Sequence, residues 1–459
     1  MNKGILKEKS FRFAVRILLS AVVLLSGCYK DDVKELKKEV NDLKERMAQY
    51  ENLLDALGKQ LYVVNYEDKD GYYIITMSDG STLPVSHCSI TLADGVMTFT
   101  FADGRTVSMN VVAPDVTITG PAGGFVIDKM KWLRIYPEAT NTSGIVYQWL
   151  LDGEEISDEK DLLYVFAEAG IYHLELKSKN TMGESSHTVT VTVNDKSYVN
   201  GIAKLYEYVP APGQFINTMP EATSGDTPET MRQKAEAVLT GGDMICLGGF
   251  GGYVVFGFDH TVVNTSGNDF TVLGNAIAGS AEPGVIMVSY DANGNGLPDD
   301  EWFEIAGSEY SKPTTIMNYE ITWYKPEPEP TNPNEPNYIC WTDNQGQSGY
   351  LSKNSFHTQT YYPLWMGDSY TLKGTLMEAD QYVQSGNWVS PACDWGYADN
   401  WPNTDIRAQI DLDWAVDKNG NPVRLKGVDF VRVHTGNRAG NDVLGEISTE
   451  VAGFTDLNL

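Results

Sequence analysis

"EPGVIMVSYDANGNGLPDDEWFEIAGS", residues 282–308, decides how the larger part of this chain is read. It opens with an apolar run over 285–288 and closes on a mostly apolar stretch over 302–306 interrupted by Glu304. Between them, two Asn-Gly steps and Pro298 rule out a continuous helix, so two strands joined by a polar loop are predicted. Upstream, "GGYVVFGFDHTVVN" (251–264) and "DFTVLGNA" (269–276) are strand-like too. Strand follows strand without an intervening helical pattern, which points to a β-sandwich and away from a parallel α/β sheet.

The loop itself has the makings of a calcium site. Calcium takes six to eight hard oxygens, and a loop can offer them at alternate positions around a glycine bend. Asp291, Asn293 and Asn295 stand at positions one, three and five, with Gly296 at six. The Leu297 carbonyl falls at seven and Asp299 at nine. Position twelve, where a bidentate acid belongs, is Trp302, so Asp300, Glu301 or a distant carboxylate would have to complete the shell. The flanks are strand-like rather than helical, which makes the expected ion structural. A solvated Asn-Gly turn without metal is the alternative.

Length and charge bound the rest. The chain has 459 residues, enough for several domains, and a formal charge of −28. Nucleic acid is therefore not an expected partner. The start is basic (Lys3, Lys7, Lys9, Arg12, Arg16) and is followed by an apolar run over 17–25, too short for a permanent membrane span. Leu25-Ser26-Gly27-Cys28 resembles a bacterial lipobox, which implies removal of 1–27 and lipidation (palmitate) of Cys28. Lys30-Asp31-Asp32 resembles the export signal of Bacteroidota-type surface lipoproteins, which implies anchoring in the outer membrane facing the cell exterior. Cleavage removes five basic residues and one acidic, leaving 29 against 61, or −32.

Over 28–62, apolar residues at Val33, Leu36, Val40, Leu43, Met47, Tyr50, Leu54, Leu57 and Leu61 alternate steps of three and four. That is a heptad seam, so a self-associating coiled-coil stalk is predicted, dimer or trimer, about 45 Å long at 1.5 Å per residue. "GYYIITMSDGST" (71–82) then matches "GVMTFTFADGRT" (95–106), and each copy runs into an Asp-Gly turn. Two β-hairpins are expected over 63–112.

Residues 113–197 contain "YQWLLDG" (147–153), "YVFAEAGIYHLELKSKN" (164–180) and "HTVTVTVND" (187–195). The pattern resembles an immunoglobulin-like domain of the polycystic-kidney-disease (PKD) type, with Trp149 in a central strand and Tyr172 leading into the next. The resemblance implies a spacer sandwich with Trp149 in its core. Residues 198–459 resemble a bacterial cell-surface domain with a galactose-binding-like jelly roll, through "GFD", "EPG", "VDFVRVHTGN" (428–437) and "GEISTEVAGFTDL" (445–457). One helix is predicted over 227–242, with Thr227 as its cap and two glycines at its end. "KPEPEPTNPNEPN" (325–337) reads as an extended loop.

Chemistry is sparse. The six histidines lack metal-ligand spacing, and no GxSxG, HExxH or catalytic Cys-His pattern occurs, so a non-enzymatic protein is expected. "LGGFGG" (247–252) precedes a strand and lacks the Lys-Ser/Thr of a phosphate loop. Cys340 and Cys393 could form a disulfide or remain free thiols. Aromatics are the better clue: Trp341, Trp365, Trp388, Trp395 and Trp401 fall between 338 and 402, with Tyr350, Tyr361, Tyr362, Tyr397 and His357 among them. Such rings beside Asp and Asn suit a flat polar ligand, a glycan or a cobalamin-type corrinoid; they could also simply fill a core. Likeness to surface lipoproteins implies nutrient capture beside a TonB-dependent transporter, with an adhesive surface protein as the second reading and a glycan hydrolase as the third.

Overall fold

The computed structural model describes Ala48 and residues 63–459, apart from 71, 94, 102, 103, 105, 111, 143, 181, 182 and 442–444. The signal sequence, Cys28, Lys30, Asp31, Asp32 and the stalk other than the helical Ala48 lie outside the described residues. The chain is mainly β and divides into two compact units. One comprises 1–124, 135–162 and 172–190; the other comprises 125–134, 163–171 and 191–459. Among the described residues, no helix is long and apolar enough to cross a membrane.

In the first unit the tandem repeat forms two three-stranded antiparallel sheets rather than two hairpins. Val63–Lys69, Tyr72–Met77 and Thr82–Ser86 make one, and Cys88–Ala93, Val96–Phe101 and Thr106–Asn110 the other. Each copy thus recruits the strand before it, which fits the marginal stability of an isolated hairpin. The Asp79-Gly80 turn needs its glycine, at φ +83°. Asp79 secures it by accepting from the Ser81 amide at 3.0 Å. Further on, Val146–Leu151 pairs with Glu154–Ser157 through the Asp152-Gly153 turn and with Gly170–Asn180 on its other side. Trp149 is fully buried, and its Nε1 donates to the Lys160 carbonyl at 3.2 Å.

The second unit is built on a six-stranded antiparallel sheet. Its order is Lys204–Val209, Tyr253–Val263, Gly427–Thr435, Gly284–Ser289, Phe303–Ile305, Ala415–Val416. A three-stranded sheet of Gln409–Ile410, Phe270–Leu273 and Gly453–Asp456 shares its core, where Val254, Phe256, Phe270, Ile286, Val431 and Phe454 meet. Gly257 allows two strands to approach: a Cβ there would stand 2.9 Å from the Asp429 carbonyl and 3.1 Å from the Tyr206 and Phe430 rings.

The helix Pro228–Thr240 is capped reciprocally. The Thr230 amide donates to Thr227 Oγ1 at 3.2 Å, and the Thr227 amide to Thr230 Oγ1 at 2.8 Å. Met231, Ala235 and Leu239, one face at four-residue steps, bury it in the same core. Residues 198–459, expected as one jelly roll, also hold a further sheet apart from this sandwich. Ser348–Lys353, Glu335–Asp343, Ile316–Tyr324 and Ser369–Leu376 form a four-stranded antiparallel sheet with its own core of Phe250, Tyr319, Ile321, Trp323, Tyr338, Ile339 and Leu372. The Pro-rich loop therefore ends earlier than its composition suggests, since Glu335 already begins a strand.

Candidate functional site

The acidic loop lies between strands Gly284–Ser289 and Phe303–Ile305, as its flanks predict. Asp291 organises it. Its Oδ1 accepts the amides of Gly294 at 2.9 Å and Asn295 at 3.0 Å, and its Oδ2 that of Gly296 at 3.2 Å. Asn293 Oδ1 accepts the Asn295 amide at 2.9 Å, and Asn295 Oδ1 the Leu297 amide at 2.7 Å. The side-chain amides of Asn293 and Asn295 converge on Asp299, at 3.0 and 2.9 Å, and hold its carboxyl below the ordinary range. Asp300 closes the loop by accepting the Ala292 amide at 3.0 Å.

Neighbouring strands clamp this loop. Asp429, raised in pKa by burial, accepts Thr261 Oγ1, Trp132 Nε1 and the Asp291 amide, each at 2.7 Å. The Arg134 guanidinium donates to the Asp291 carbonyl and stands 4.0 Å from its Oδ2. Tyr206 donates to the Gly296 carbonyl at 3.0 Å. Asp291, Asn293, Asn295 and Asp299 thus meet in one hydrogen-bonded bend in which the Asn Nδ2 groups, not their oxygens, face Asp299. The residue types suit calcium, but those two amides would have to turn to offer it oxygens. Leu297 and Glu301 are exposed, at position seven and at the loop's end.

The predicted aromatic cluster does not form one surface. Tyr361 and Tyr362 are shut in the core of the four-stranded sheet, and Trp365 in that of the sandwich, so none of the three offers a face to a ligand. Trp341 is closely covered: the Arg438 guanidinium lies 4.1 Å from its ring centre, and Gly349 packs so near that a Cβ there would come within 2.5 Å of the ring. His357 packs edge-on against Phe215 at 5.0 Å. Sequence proximity could not separate these rings, because Tyr361, Tyr362 and Trp365 lie in an irregular stretch whose path beneath the sheets is set by tertiary packing, not by local periodicity.

Trp388, Trp395 and Trp401 are different. Trp395 is 37% exposed and packs on Trp414 at 4.5 Å. Trp401 donates from Nε1 to the Cys393 carbonyl at 2.8 Å, while the Arg407 guanidinium covers its ring at 3.2 Å. The chain between Trp388 and Trp395, from Ser390 to Asp394, lines a cavity of about 180 Å³. Glu309, Lys312, Asp380, Gln381 and Asn437 add charged and amide groups to its wall. Lys312 and Glu309 pair at 2.5 Å, and Gln381 donates to Ser390 Oγ at 2.9 Å. Cys393 is a free thiol, as are Cys340 and Cys246, and burial pushes it up to about 12.

Two further sets of ionisable side chains, one around His260 and one around Asp399, sit largely buried in this unit. His260 is enclosed between Asp259 at 2.8 Å and Asp456 at 3.0 Å; burial opposes its charge, but the bonds to Asp456 and Asp259 outweigh it and raise its pKa. Glu282, Asp399 and Glu450 bring their carboxylate oxygens within 4.8 Å of one another. Burial, reinforced by their mutual repulsion, pushes Asp399 and Glu450 to about 7 and raises Glu282 as well. Nothing in the spacing of residues so far apart in sequence could have announced that cluster.

Residues 113–180 match a family model described as a PKD-like domain. No curated protein matches the chain. Among solved structures, a SusE-like protein aligns at 9% identity and TM-score 0.25, over 74% of this chain and 96% of that one. The Bacteroides ovatus mixed-linkage glucan utilization protein SGBP-B, in complex with a heptasaccharide, aligns at 12% identity and TM-score 0.17, over 73% and 70%. Fibronectin(III)-like modules of Clostridium thermocellum CbhA align at 19% identity and TM-score 0.16, over 29% and 80%. Similarity of this size carries no site from those proteins to this one.

Proposed function

We propose that this chain is an outward-facing outer-membrane lipoprotein whose second unit captures neutral glycan for uptake by a TonB-dependent transporter, without cleaving it. The observation that carries the ligand class is the exposed Trp395, which follows directly in the chain on Asp394, a lining residue of the small polar cavity. A sugar ring has an apolar face of C–H groups and a rim of hydroxyls; an indole and a wall of carboxylates and amides complement both. The cavity is smaller than the usual pocket for a drug-sized ligand, which suits one ring or a chain end. A corrin macrocycle exceeds it, which favours glycan over cobalamin.

Titration of the full mature chain with a panel of neutral oligosaccharides, and with cobalamin, tests this reading. At least one saccharide should bind, and Trp395→Ala should weaken it roughly tenfold, about 1.4 kcal/mol. Binding of cobalamin alone, or saccharide binding untouched by Trp395→Ala, would overturn the assignment. For export, replacing Lys30, Asp31 and Asp32 together by Ala should leave the protein lipidated but facing inward. Protease added to whole cells should then no longer shave it; shaving as fast as wild type would contradict surface export through these residues.

A further inference from the structure

The outer face of the four-stranded sheet has no part in the cavity beside Trp395, yet its composition is specific. Opposed residues of an antiparallel pair share a face. Trp323 and Trp341 oppose each other on the inner face, against the core. The residues next to them therefore point outward. Cys340 opposes Tyr350, and Tyr324 opposes Ser369, so one outer row reads Tyr350, Cys340, Tyr324, Ser369 across the four strands. The next row, by the same register, is Ser348, Thr342, Thr322, Thr371.

Tyr350 is 52% exposed and Tyr324 38%. They stand two strand spacings apart, about 10 Å. The Tyr324 hydroxyl lies 3.1 Å from Thr342 Oγ1, so its ring lies along the sheet instead of standing off it. Thr322 and Thr371 hydroxyls meet at 2.7 Å. Beyond these rows Glu320 and Lys373 pair at 3.4 Å, leaving the face without net charge.

We propose that this face is a second glycan-contact surface, taking the middle of an extended neutral polysaccharide whose rings stack on Tyr324 and Tyr350. The proposal rests on the glycan reading of the second unit. Two rings on one line, with a row of hydroxyls beside them, match a polymer of stacked faces and hydroxyl rims. An anionic polysaccharide would meet a chain of formal charge −28 with no cationic patch here to offset it. A protein partner fits worse. Four strands by two rows cover on the order of 200 Å², against about 800 Å² per partner in a stable protein interface.

Affinity electrophoresis of the full mature chain through gels containing barley mixed-linkage glucan, xyloglucan, galactomannan or hydroxyethylcellulose tests the proposal, with polygalacturonate as the anionic control. At least one neutral polymer should retard the wild type. Tyr324→Ala and Tyr350→Ala should each weaken retention at least fivefold, the double variant should lose it, and Tyr324→Phe, which keeps the ring, should retain most of it. Short oligosaccharides should bind the double variant as they bind wild type, with Trp395→Ala giving the converse pattern. Unchanged retention of a folded double variant overturns the second surface and leaves the Trp395 reading standing. A wild type that no neutral saccharide, short or long, binds overturns both. Tyrosine-dependent retention by polygalacturonate alone, or tyrosine-dependent self-association in sedimentation, overturns the neutral-glycan assignment in favour of an acidic polymer or a second copy.

Discussion

The second unit should be most stable near pH 5 and should lose stability steadily toward pH 8. Burial pushes Glu446 up to about 8, Glu304, Asp399 and Glu450 to about 7, and Asp269 to about 6. A carboxyl whose folded pKa is raised binds its proton more tightly folded than unfolded. Its contribution is full below its unfolded pKa, near 4, and is lost as pH rises through the folded value. His260, raised by Asp456 and Asp259 against the effect of burial, acts in the same sense. His434 opposes them: burial, with Arg432 nearby, lowers it to about 3, so it costs stability as pH falls below its unfolded value near 6.5. Several carboxyls against one imidazole leave the balance on the acid side.

At about 1.4 kcal/mol per pH unit, Glu446 alone represents roughly 5 kcal/mol between pH 4.5 and 8. Calorimetry of the full chain from pH 4.5 to 8.5 reads this directly. Glu446→Gln, which keeps the acceptor for the Gln214 amide at 2.6 Å, should raise the melting temperature at pH 8 and flatten the slope. A transition that strengthens from pH 5 to 8 would mean that these carboxyls are ionised and compensated in the fold.

What the sequence made legible was local. Asp79-Gly80, Asp152-Gly153 and the Thr227 cap act within a few residues, and each governs the element expected of it. Trp149 was legible as core because a single large ring in an alternating strand has little else to do. The aromatic cluster failed for the opposite reason. Tyr361, Tyr362 and Trp365 sit in a turn-rich stretch that looks like surface, but the chain folds back there beneath the four-stranded sheet and the sandwich. The outward row of Tyr324 and Tyr350 depends on register among strands up to fifty residues apart, and Asp399 meets Glu282 and Glu450 across still longer separations. Strand existence is written in periodicity; which face a residue takes is written in pairing.

Calcium should stabilise the second unit through the loop at 291–301, and a chelator should reverse this. Asp291, Asp299, Asp300 and Glu301 place four negative charges within eleven residues. Arg134 offsets part of the charge at Asp291, and the amides of Asn293 and Asn295 serve Asp299, but amides carry no net charge. Rotating those two amides would turn Oδ1 atoms toward the carboxylates, a repulsive arrangement that only a cation makes favourable. An ion that binds only the folded state adds about 2.7 kcal/mol at a hundredfold excess over its dissociation constant. For a unit of this size that is roughly 5–10 °C in melting temperature. Calcium should act more strongly than magnesium, whose small octahedral shell a loop of Asn and Asp side chains meets poorly. Asp291→Ala should abolish the response, because it removes the position-one ligand together with the acceptor for three loop amides. Glu450→Gln should leave it intact. If the response survives Asp291→Ala and disappears in Glu450→Gln, the ion sits among Glu282, Asp399 and Glu450 instead. Identical melting of the wild type in chelator and in millimolar calcium would leave 291–301 as a hydrogen-bonded turn held from outside by Asp429, Arg134 and Tyr206.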